Sequence, residues 1–171
     1  MISPDAPVFV ALGSNIAPEY HLARAVQRLA MSCELLGVSS VYRTPPQGFA
    51  DQADFLNLAV MLRTPLGPAD FKRQVLDTIE RELGRQRDPH NKNAPRTIDL
   101  DIALWGDAVL EYGDKPWRIP DPDILRFAHV ALPLAELAPD QLHPVERTPL
   151  REIAARFQAQ LAAFHLVLGQ R

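Results

Sequence analysis

The segment 97–105 constrains the fold most, because aliphatic residues recur there at every second position. This spacing predicts a half-buried β-strand with its aliphatic side chains on one face. That aliphatic set consists of Ile98, Leu100, Ile102 and Leu104. The opposite face then carries Thr97, Asp99, Asp101 and Ala103. The two aspartates are therefore neighbours on that face, about 7 Å apart from the rise per residue of a strand.

Two carboxylates at this spacing repel each other unless a cation lies between them. Hard oxygen ligands of this kind suit Mg²⁺, whereas the alternative is a strand face that water covers. The preceding stretch 85–96 favours a metal, since it brings Arg85, Arg87, Lys92 and Arg96 to the start of the strand. Arginine forks beside metal ions are typical of polyphosphate sites. The Asn, Pro and Asp content of this stretch predicts a mobile loop that could act as a lid.

Length and charge limit the class of protein. A chain of 171 residues is expected to form one domain, 1–171, with a sizeable core. A net charge of −3 argues against broad nucleic-acid binding. The single cysteine excludes an intrachain disulfide, and no apolar run reaches the roughly 18 residues of a membrane span. With no signal peptide at its start, we expect a cytoplasmic protein that binds neither nucleic acid nor membranes.

The remaining periodic segments predict an α+β fold. A strand at 8–12 ends in a Gly13-Ser14-Asn15 turn, and a helix over 19–34 and strands at 35–43 and 54–63 follow. A second helix starts at Gly67-Pro68 and stops at Gly84, just before the acidic strand. This order matches a ferredoxin-like βαββαβ core with a mostly antiparallel sheet and both helices on its aliphatic face. Further strands and helices toward the C-terminus are expected to add a third layer, giving α/β/α.

A second candidate binding surface lies on the strand 54–63. Its aliphatic residues are expected to face the core, which leaves Phe55 and Asn57 on the face that carries the aspartates. Asn57 could bind the edge of a flat heterocycle, with Phe55 near enough to stack on it. The alternative is an asparagine that faces water and a phenylalanine that packs under a loop.

Six segments in this order resemble the 6-hydroxymethyl-7,8-dihydropterin pyrophosphokinase family. They are 11–15 (Ala-Leu-Gly-Ser-Asn), 42–46 (Tyr-Arg-Thr-Pro-Pro), 54–57 (Asp-Phe-Leu-Asn), 83–85 (Leu-Gly-Arg), 95–101 (Pro-Arg-Thr-Ile-Asp-Leu-Asp) and 133–139 (Pro-Leu-Ala-Glu-Leu-Ala-Pro). The resemblance implies transfer of pyrophosphate from ATP to the pterin hydroxymethyl group, with release of AMP, in folate biosynthesis. It also implies two Mg²⁺ ions, ATP as co-substrate and a monomer that acts on small molecules.

The resemblance also implies roles for individual residues. Asp99 and Asp101 match the Mg²⁺ ligands, and Arg85 and Arg96 match arginines that contact the phosphates during transfer. Glu80, Arg87, Ile102, Asp121 and Arg126 are the implied ATP-binding residues. Thr44, Pro45, Gln47, Phe55, Asn57 and His129 are the implied pterin-binding residues.

The chain departs from the family pattern at several of these positions. Asp121 follows Pro120 where the family has histidine, and Phe127 stands at an arginine position that Arg126 could serve. His129 stands where the family has an aromatic residue, and Phe55 where tyrosine is more frequent. Two alternatives therefore stay open, namely a diverged paralogue for a related pterin with altered nucleotide chemistry and a non-catalytic ferredoxin-like binding module.

Overall fold

A computed structural model describes residues 2–45, 53–85, 97–161 and 165–167 of the chain. The first half contains β1 (Val8–Ser14), α1 (Pro18–Ser32), β2 (Glu34–Val38), β3 (Val41–Thr44), β4 (Phe55–Arg63), α2 (Pro68–Phe71), a π-helical turn (Lys72–Leu76) and α3 (Asp77–Glu82). The second half contains β5 (Asp99–Trp105), β6 (Leu110–Tyr112), β7 (Trp117–Ile119), a 3₁₀ turn (Pro122–Ile124), α4 (Ala128–Leu137), α5 (Leu150–Ala155), α6 (Gln158–Leu161) and β8 (His165–Val167). Within these ranges, no helix is both long and apolar enough to cross a membrane.

The main sheet has the strand order β5-β1-β4-β3-β8, with β2 also paired to β4. All of these pairings are antiparallel. This order is that of a ferredoxin-like core, so the predicted α+β fold is confirmed. The predicted strand at 35–43 is divided in two, because Ser39 leaves the regular ladder. Its hydroxyl accepts a hydrogen bond from the Ala59 amide at 2.9 Å, and its own amide donates to the Ala59 carbonyl at 2.9 Å.

The first hydrophobic core lies between one face of the sheet and helices α1, α2 and α3. Every second residue of β4 enters it, from Leu56 to Leu62, as the alternation predicts. Leu100 and Ile102 of β5 enter the same core, as does Ile98 just before this strand. The two helices of the ferredoxin-like unit therefore cover the predicted aliphatic face. Helix α3 is followed by Gly84, whose φ of +80° lies in the left-handed region that favours glycine.

A second core on the opposite face is closed by α4 and α5, which completes the predicted third layer. Here the prediction for Leu104 was wrong, because its side chain lies in this second core rather than the first. The cause is a β-bulge, since Val10 pairs with Ile102 whereas Phe9 pairs with Leu104. Ala103 is the extra residue, and beyond it the alternation is inverted, so that Trp105 takes the place in the first core.

Helix α4 is also tied to the sheet through the carboxylate of Glu136. This group accepts hydrogen bonds from the Ser40 amide at 2.7 Å, the Ser40 hydroxyl at 3.0 Å and the Tyr42 hydroxyl at 2.9 Å. Bonds to a charged acceptor are the stronger kind in proteins. These bonds fix α4, and with it the third layer, on the sheet. Next to this contact lies a part of the same sheet face that α4 does not cover.

Candidate active site

The candidate site begins with three residues placed side by side on neighbouring strands. Gly13 of β1 pairs with Asn57 of β4 on one side and with Asp99 of β5 on the other. The prediction that residues 13–15 form a turn was therefore wrong for Gly13 and Ser14, which belong to β1. With strands about 4.8 Å apart, the backbones of Asn57 and Asp99 lie roughly 10 Å apart across the sheet.

Gly13 leaves a depression between these two side chains because it has no side chain of its own. A Cβ at this position would lie 3.0 Å from the Asn57 side-chain oxygen, closer than nine in ten real contacts of this kind. With alanine here, the Asn57 amide would therefore have to move by a few tenths of an ångström. The absence of a side chain keeps the Asn57 amide and the Asp99 carboxylate on one continuous surface.

One wall of the site is formed by the carboxylates of β5. Asp99 and Asp101 lie on the predicted face, opposite the first core, and the Asp99 side chain is one quarter exposed. The Arg85 guanidinium approaches Asp99 from the end of α3, with Nη1 at 2.5 Å from the Asp99 Oδ1 atom. The same nitrogen donates to the Ile98 carbonyl at 3.2 Å. The predicted proximity of Arg85 to the acidic strand is therefore confirmed, although its contact with a phosphate stays a prediction.

Glu80 supports this arginine from inside the protein. Its Oε2 atom lies 3.1 Å from Arg85 Nη1 and accepts a hydrogen bond from the Leu100 amide at 2.9 Å. Only 4% of Glu80 is exposed, although a glutamate in the last turns of a helix is usually a surface residue. Glu80 thus joins α3 to β5 and orients Arg85, and a direct contact with ATP stays a prediction.

The acidic wall carries strong mutual repulsion. Burial raises the pKa of Asp101 well above its ordinary value, and the charges of Asp99, Asp121 and Glu80 raise it further. Burial also raises the pKa of Asp121, to about 6. Binding of a cation at such a site lowers the free energy of the protein, because it relieves the repulsion between the carboxylates.

The other wall of the site is polar and uncharged. The Asn57 side-chain nitrogen donates to the Thr44 hydroxyl at 2.8 Å, which fixes the orientation of the amide. Both residues are buried, Phe55 is half-buried beside them and Pro45 is exposed at the end of β3. The structure therefore brings four of the predicted pterin-binding residues together, although it does not test their contact with a pterin.

The predicted residues that follow β7 lie around the 3₁₀ turn. The Asp121 carboxylate caps this turn by accepting a hydrogen bond from the Asp123 amide at 2.9 Å. Arg126 is exposed and lies 3.7 Å from the Asp123 carboxylate. His129 stacks on Phe127 with 5.3 Å between ring centroids, and burial lowers the pKa of His129 to about 4. The ring is therefore neutral at physiological pH, and the roles of Asp121, Arg126 and His129 in binding stay predictions.

Gln47, Arg87 and Arg96 lie outside the described residues. The Ile102 side chain is only 3% exposed and lies in the first core, on the face opposite Asp101. Any contact of Ile102 with a nucleotide would therefore have to use its main chain.

Sequence reasoning missed Lys72, which is 6% exposed and lies in the π-helical turn. A signal was present, because Val75, Leu76 and Ile79 follow it at helical spacing and mark its face as buried. The ring of Trp117 lies 5.0 Å from the Lys72 ammonium nitrogen, and this pairing has no local sequence signal.

The donor set of the acidic wall fits magnesium. In the part of the chain that the structure describes, no group of three or more His, Cys, Asp or Glu side chains is placed to hold a metal alone. Asp99 and Asp101 would therefore supply two ligands, and Mg²⁺ ordinarily completes its shell with water and substrate phosphates. Two buried polar atoms at this wall, Arg85 Nε and Thr97 Oγ1, also lack a hydrogen-bond partner within the described ranges.

Comparison of structures identifies the class of fold. The chain resembles the crystal structure of wild-type Plasmodium falciparum HPPK-DHPS with a TM-score of 0.70 and 12% sequence identity. The match covers 92% of this chain and 46% of that chain, so this chain spans less than half of that protein. At this identity the likeness shows the fold.

Comparison of sequences identifies the family. Residues 9–139 match the family model of 7,8-dihydro-6-hydroxymethylpterin-pyrophosphokinase (HPPK). A 2-amino-4-hydroxy-6-hydroxymethyldihydropteridine pyrophosphokinase of Aquifex aeolicus is 32% identical over 86% of this chain and 89% of its own length. The protein of that name from Pseudomonas aeruginosa is 42% identical over 78% of this chain and 81% of its own length. The chain belongs to the HPPK family.

Proposed function

We propose that this chain transfers the pyrophosphoryl group of ATP to the hydroxymethyl group of 6-hydroxymethyl-7,8-dihydropterin and releases AMP, a step of folate biosynthesis. Membership of the family and the names of its relatives support this function. The structural observation that carries it is the row Asn57, Gly13 and Asp99, which places an amide able to bind a heterocycle beside a carboxylate wall. Both substrates would then lie on the same face of the sheet.

The transfer requires a new bond between the hydroxymethyl oxygen and the β-phosphorus of ATP. The bond from that phosphorus to the oxygen shared with the α-phosphorus breaks, and its electron pair leaves with AMP. The hydroxyl proton passes to water as the new bond forms. Reactions of this type depend on alignment and on neutralisation of charge more than on a protein nucleophile.

The residues of the acidic wall would hold the triphosphate. Asp99 and Asp101 would hold magnesium, which supplies Lewis-acid neutralisation of the phosphate oxygens when bound. Arg85 lies against Asp99 and would contribute positive charge beside the phosphates. Arg96 is proposed to stabilise the charge of the transferred group, as the family resemblance implies.

The polar wall would hold the pterin. The Thr44 hydroxyl accepts from the Asn57 nitrogen, so the Asn57 oxygen is the atom of that amide directed toward Gly13. An oxygen there can accept a hydrogen bond from a ring N–H or an amino group of a flat heterocycle. Phe55 and the neutral ring of His129 supply surfaces on which such a ring could stack.

Several finer points complete the proposal. We infer two magnesium ions because two carboxylates about 7 Å apart can bracket a pair of ions separated by roughly 4 Å. We propose that residues 1–171 act as one domain and as a monomer. The single cysteine supports a cytoplasmic location.

The proposed function is tested by measuring AMP formation from ATP and Mg²⁺ with and without the pterin. We expect formation that depends on the pterin, and its loss in Asp99→Asn and Asp101→Asn. Asp107→Asn is the matched control, since Asp107 is exposed beyond the end of β5. Wild-type rates in both site variants would contradict the assigned metal ligands. Pterin binding without turnover would instead indicate a diverged paralogue, and binding of neither substrate a non-catalytic module.

A further inference from the structure

The polar wall of the site borders a group of hydrogen bonds that the proposed reaction does not use. Its centre is the carboxylate of Glu136, in the last turn of α4. The Ser40 amide and hydroxyl donate to its Oε2 atom at 2.7 and 3.0 Å, and the Tyr42 hydroxyl donates to its Oε1 atom at 2.9 Å. A carboxylate offers about four acceptor positions, so these three donors use most of them.

Tyr42 connects this group to the polar wall, because it is the direct neighbour of Asn57 across the sheet. Strands β3 and β4 are antiparallel, and Tyr42 lies opposite Asn57 in their register. Opposed residues place their side chains on the same face, with Cβ atoms about 5 Å apart. Tyr42 is 8% exposed and Asn57 is 6% exposed, so both are buried on that face. Two residues further along β3, the Thr44 hydroxyl accepts from the Asn57 amide at 2.8 Å.

Helix α4 covers the sheet beside these residues and carries the other end of the contact. Ala59, two residues beyond Asn57 on the same face of β4, belongs to the second core that α4 closes. His129 lies in the first turn of α4, seven residues before Glu136, so the two side chains project from the same side of the helix. The bonds to Glu136 therefore set where the helix that bears His129 lies relative to the strand that bears Asn57.

The Tyr42 hydroxyl acts as a donor in this contact. Burial and the neighbouring charge of Glu136 raise the pKa of Tyr42, so the hydroxyl keeps its proton at physiological pH. A bond from a neutral donor to a carboxylate is stronger than one between two neutral groups. Phenylalanine would fill almost the same volume without burying an oxygen, so the hydroxyl contributes through this bond rather than through packing.

We propose that Glu136 is a positioning residue that, through the Tyr42 hydroxyl, holds the polar wall at a fixed distance from α4 and so sets the width of the gap that a flat heterocycle enters. The inference rests on the proposed function, since it assumes that Asn57 and His129 both contact the pterin. In this role neither Glu136 nor Tyr42 contacts the substrate. The acidic wall lies on β5, beyond Gly13, so loss of this contact affects the pterin and not the nucleotide.

The test compares variants that keep or remove these hydrogen bonds, with nucleotide and pterin affinity measured separately by calorimetry. The nucleotide is the α,β-methylene analogue of ATP with Mg²⁺, in which the bond that the reaction breaks is replaced, and the pterin is titrated into protein saturated with it. Tyr42→Phe removes only the hydroxyl and is expected to weaken pterin binding about fivefold, with less than about a twofold change for the nucleotide. Glu136→Met removes all three acceptor bonds and is expected to weaken pterin binding at least as much.

Glu136→Gln is the conservative variant that should restore binding. Its amide oxygen can accept from Ser40, and its amide nitrogen can donate to the Tyr42 hydroxyl, which is also an acceptor. We therefore expect pterin affinity within about twofold of the wild-type value. The double variant of Tyr42→Phe and Glu136→Met should bind pterin no more weakly than Glu136→Met alone, since both changes remove the same contact. Additive losses would contradict a shared role.

Two control variants lie away from the contact. Tyr20→Phe removes a tyrosine hydroxyl from the exposed side of α1. Ile153→Val removes one methylene group from the second core at α5, which lowers stability without removing a hydrogen bond of Glu136. Both are expected to bind pterin and nucleotide as the wild-type protein does.

The outcomes separate this inference from the proposed function. Wild-type pterin affinity in both Tyr42→Phe and Glu136→Met overturns the positioning role and leaves the proposed function intact. Equal losses of pterin and nucleotide affinity, or a loss of pterin affinity in Ile153→Val, also overturn it, because they indicate a general loss of structure. Failure of the wild-type protein to bind the pterin overturns the proposed function and this inference with it. If Glu136→Met does not fold, Tyr42→Phe decides the question, since it keeps the ring and both bonds from Ser40.

Discussion

Replacement of Arg85 by methionine tests whether one arginine holds the acidic wall together. Its Nη1 atom contacts Glu80 Oε2 at 3.1 Å, Asp99 Oδ1 at 2.5 Å and the Ile98 carbonyl at 3.2 Å. The Arg85 side chain is 9% exposed and that of Glu80 5% exposed. The substitution therefore removes the cation from two carboxylates, of which Glu80 is deeply buried.

The magnitude follows from this burial. Removal of one partner of a buried ion pair costs about 3–5 kcal/mol, because the remaining charge stays out of water. Glu80 keeps its hydrogen bond from the Leu100 amide, and the Asp99 side chain is 25% exposed and can be hydrated. We therefore expect Arg85→Met to lower the free energy of unfolding by about 3 kcal/mol, the lower end of that range.

Urea denaturation at pH 7 measures this loss, with Arg81→Met as the control. Arg81 lies in α3 four residues before Arg85, is exposed and donates a hydrogen bond at 3.3 Å to the Thr78 hydroxyl, so its removal should cost less than about 0.5 kcal/mol. A loss below about 1 kcal/mol for Arg85→Met would refute the reasoning, because it would mean that the wall tolerates its carboxylates without the arginine.

The pH dependence of this loss provides a second check. Burial raises the pKa of Glu80, and the charge of Arg85 opposes that rise. Without the arginine, the folded protein holds a proton on Glu80 up to a higher pH than the unfolded chain does. A carboxyl group with a raised folded pKa loses stability as pH rises, so the deficit of Arg85→Met should be smaller at pH 5 than at pH 7.

Three further predictions concern single side chains. The His143 Nδ1 atom accepts hydrogen bonds from two loop amides, and burial lowers the pKa of His143, so the folded state loses stability as pH falls below about 6.5. Between pH 7 and pH 5, the melting temperature of His143→Asn should therefore fall less than that of the wild-type protein. Equal falls of the two melting temperatures would contradict this. Gly13→Ala should weaken pterin binding several-fold in calorimetry and leave Mn²⁺ affinity unchanged, because the added Cβ would displace the Asn57 amide. Unchanged pterin affinity would argue against a pterin site beside Gly13. His129→Phe should leave the pH–rate profile between pH 5 and 8 unaltered, since the His129 pKa of about 4 keeps the ring neutral. Loss of one limb of the profile would show that this ring titrates during turnover.

Much of the fold could be predicted because hydrophobic spacing is a local property. The alternation in 54–63 placed Leu56 and Asn57 on opposite faces, and the structure confirms this arrangement. The order of strands and helices then left few ways to form a sheet with short connections. The bulge at Ala103 could not be predicted, because an aliphatic residue at position 104 fits the alternation of a strand without a bulge equally well. Only pairing with β1 reveals that β5 is one residue longer than its partner.

The candidate site could be predicted in its residue types but not in its internal contacts. Asp99 and Asp101 follow from strand spacing, whereas the approach of Arg85 depends on where α3 ends relative to β5. Glu80 resembles a surface glutamate because its partner, the Leu100 amide, lies 20 residues away in the chain. Interactions of this range depend on how elements pack, which local sequence patterns do not encode.

The extra residue in β5 has a practical consequence for anyone who redesigns this protein. Deletion of Ala103 would leave the composition of the strand almost unchanged and the two aspartates untouched. Because Ala103 is the residue without a partner in β1, Leu104 would stay opposite Phe9 in the second core, and the Trp105 indole would keep its edge-on contact with Phe71 at 5.7 Å. In this segment, therefore, removal of one residue is expected to restore an unbroken alternation from Ile98 to Trp105.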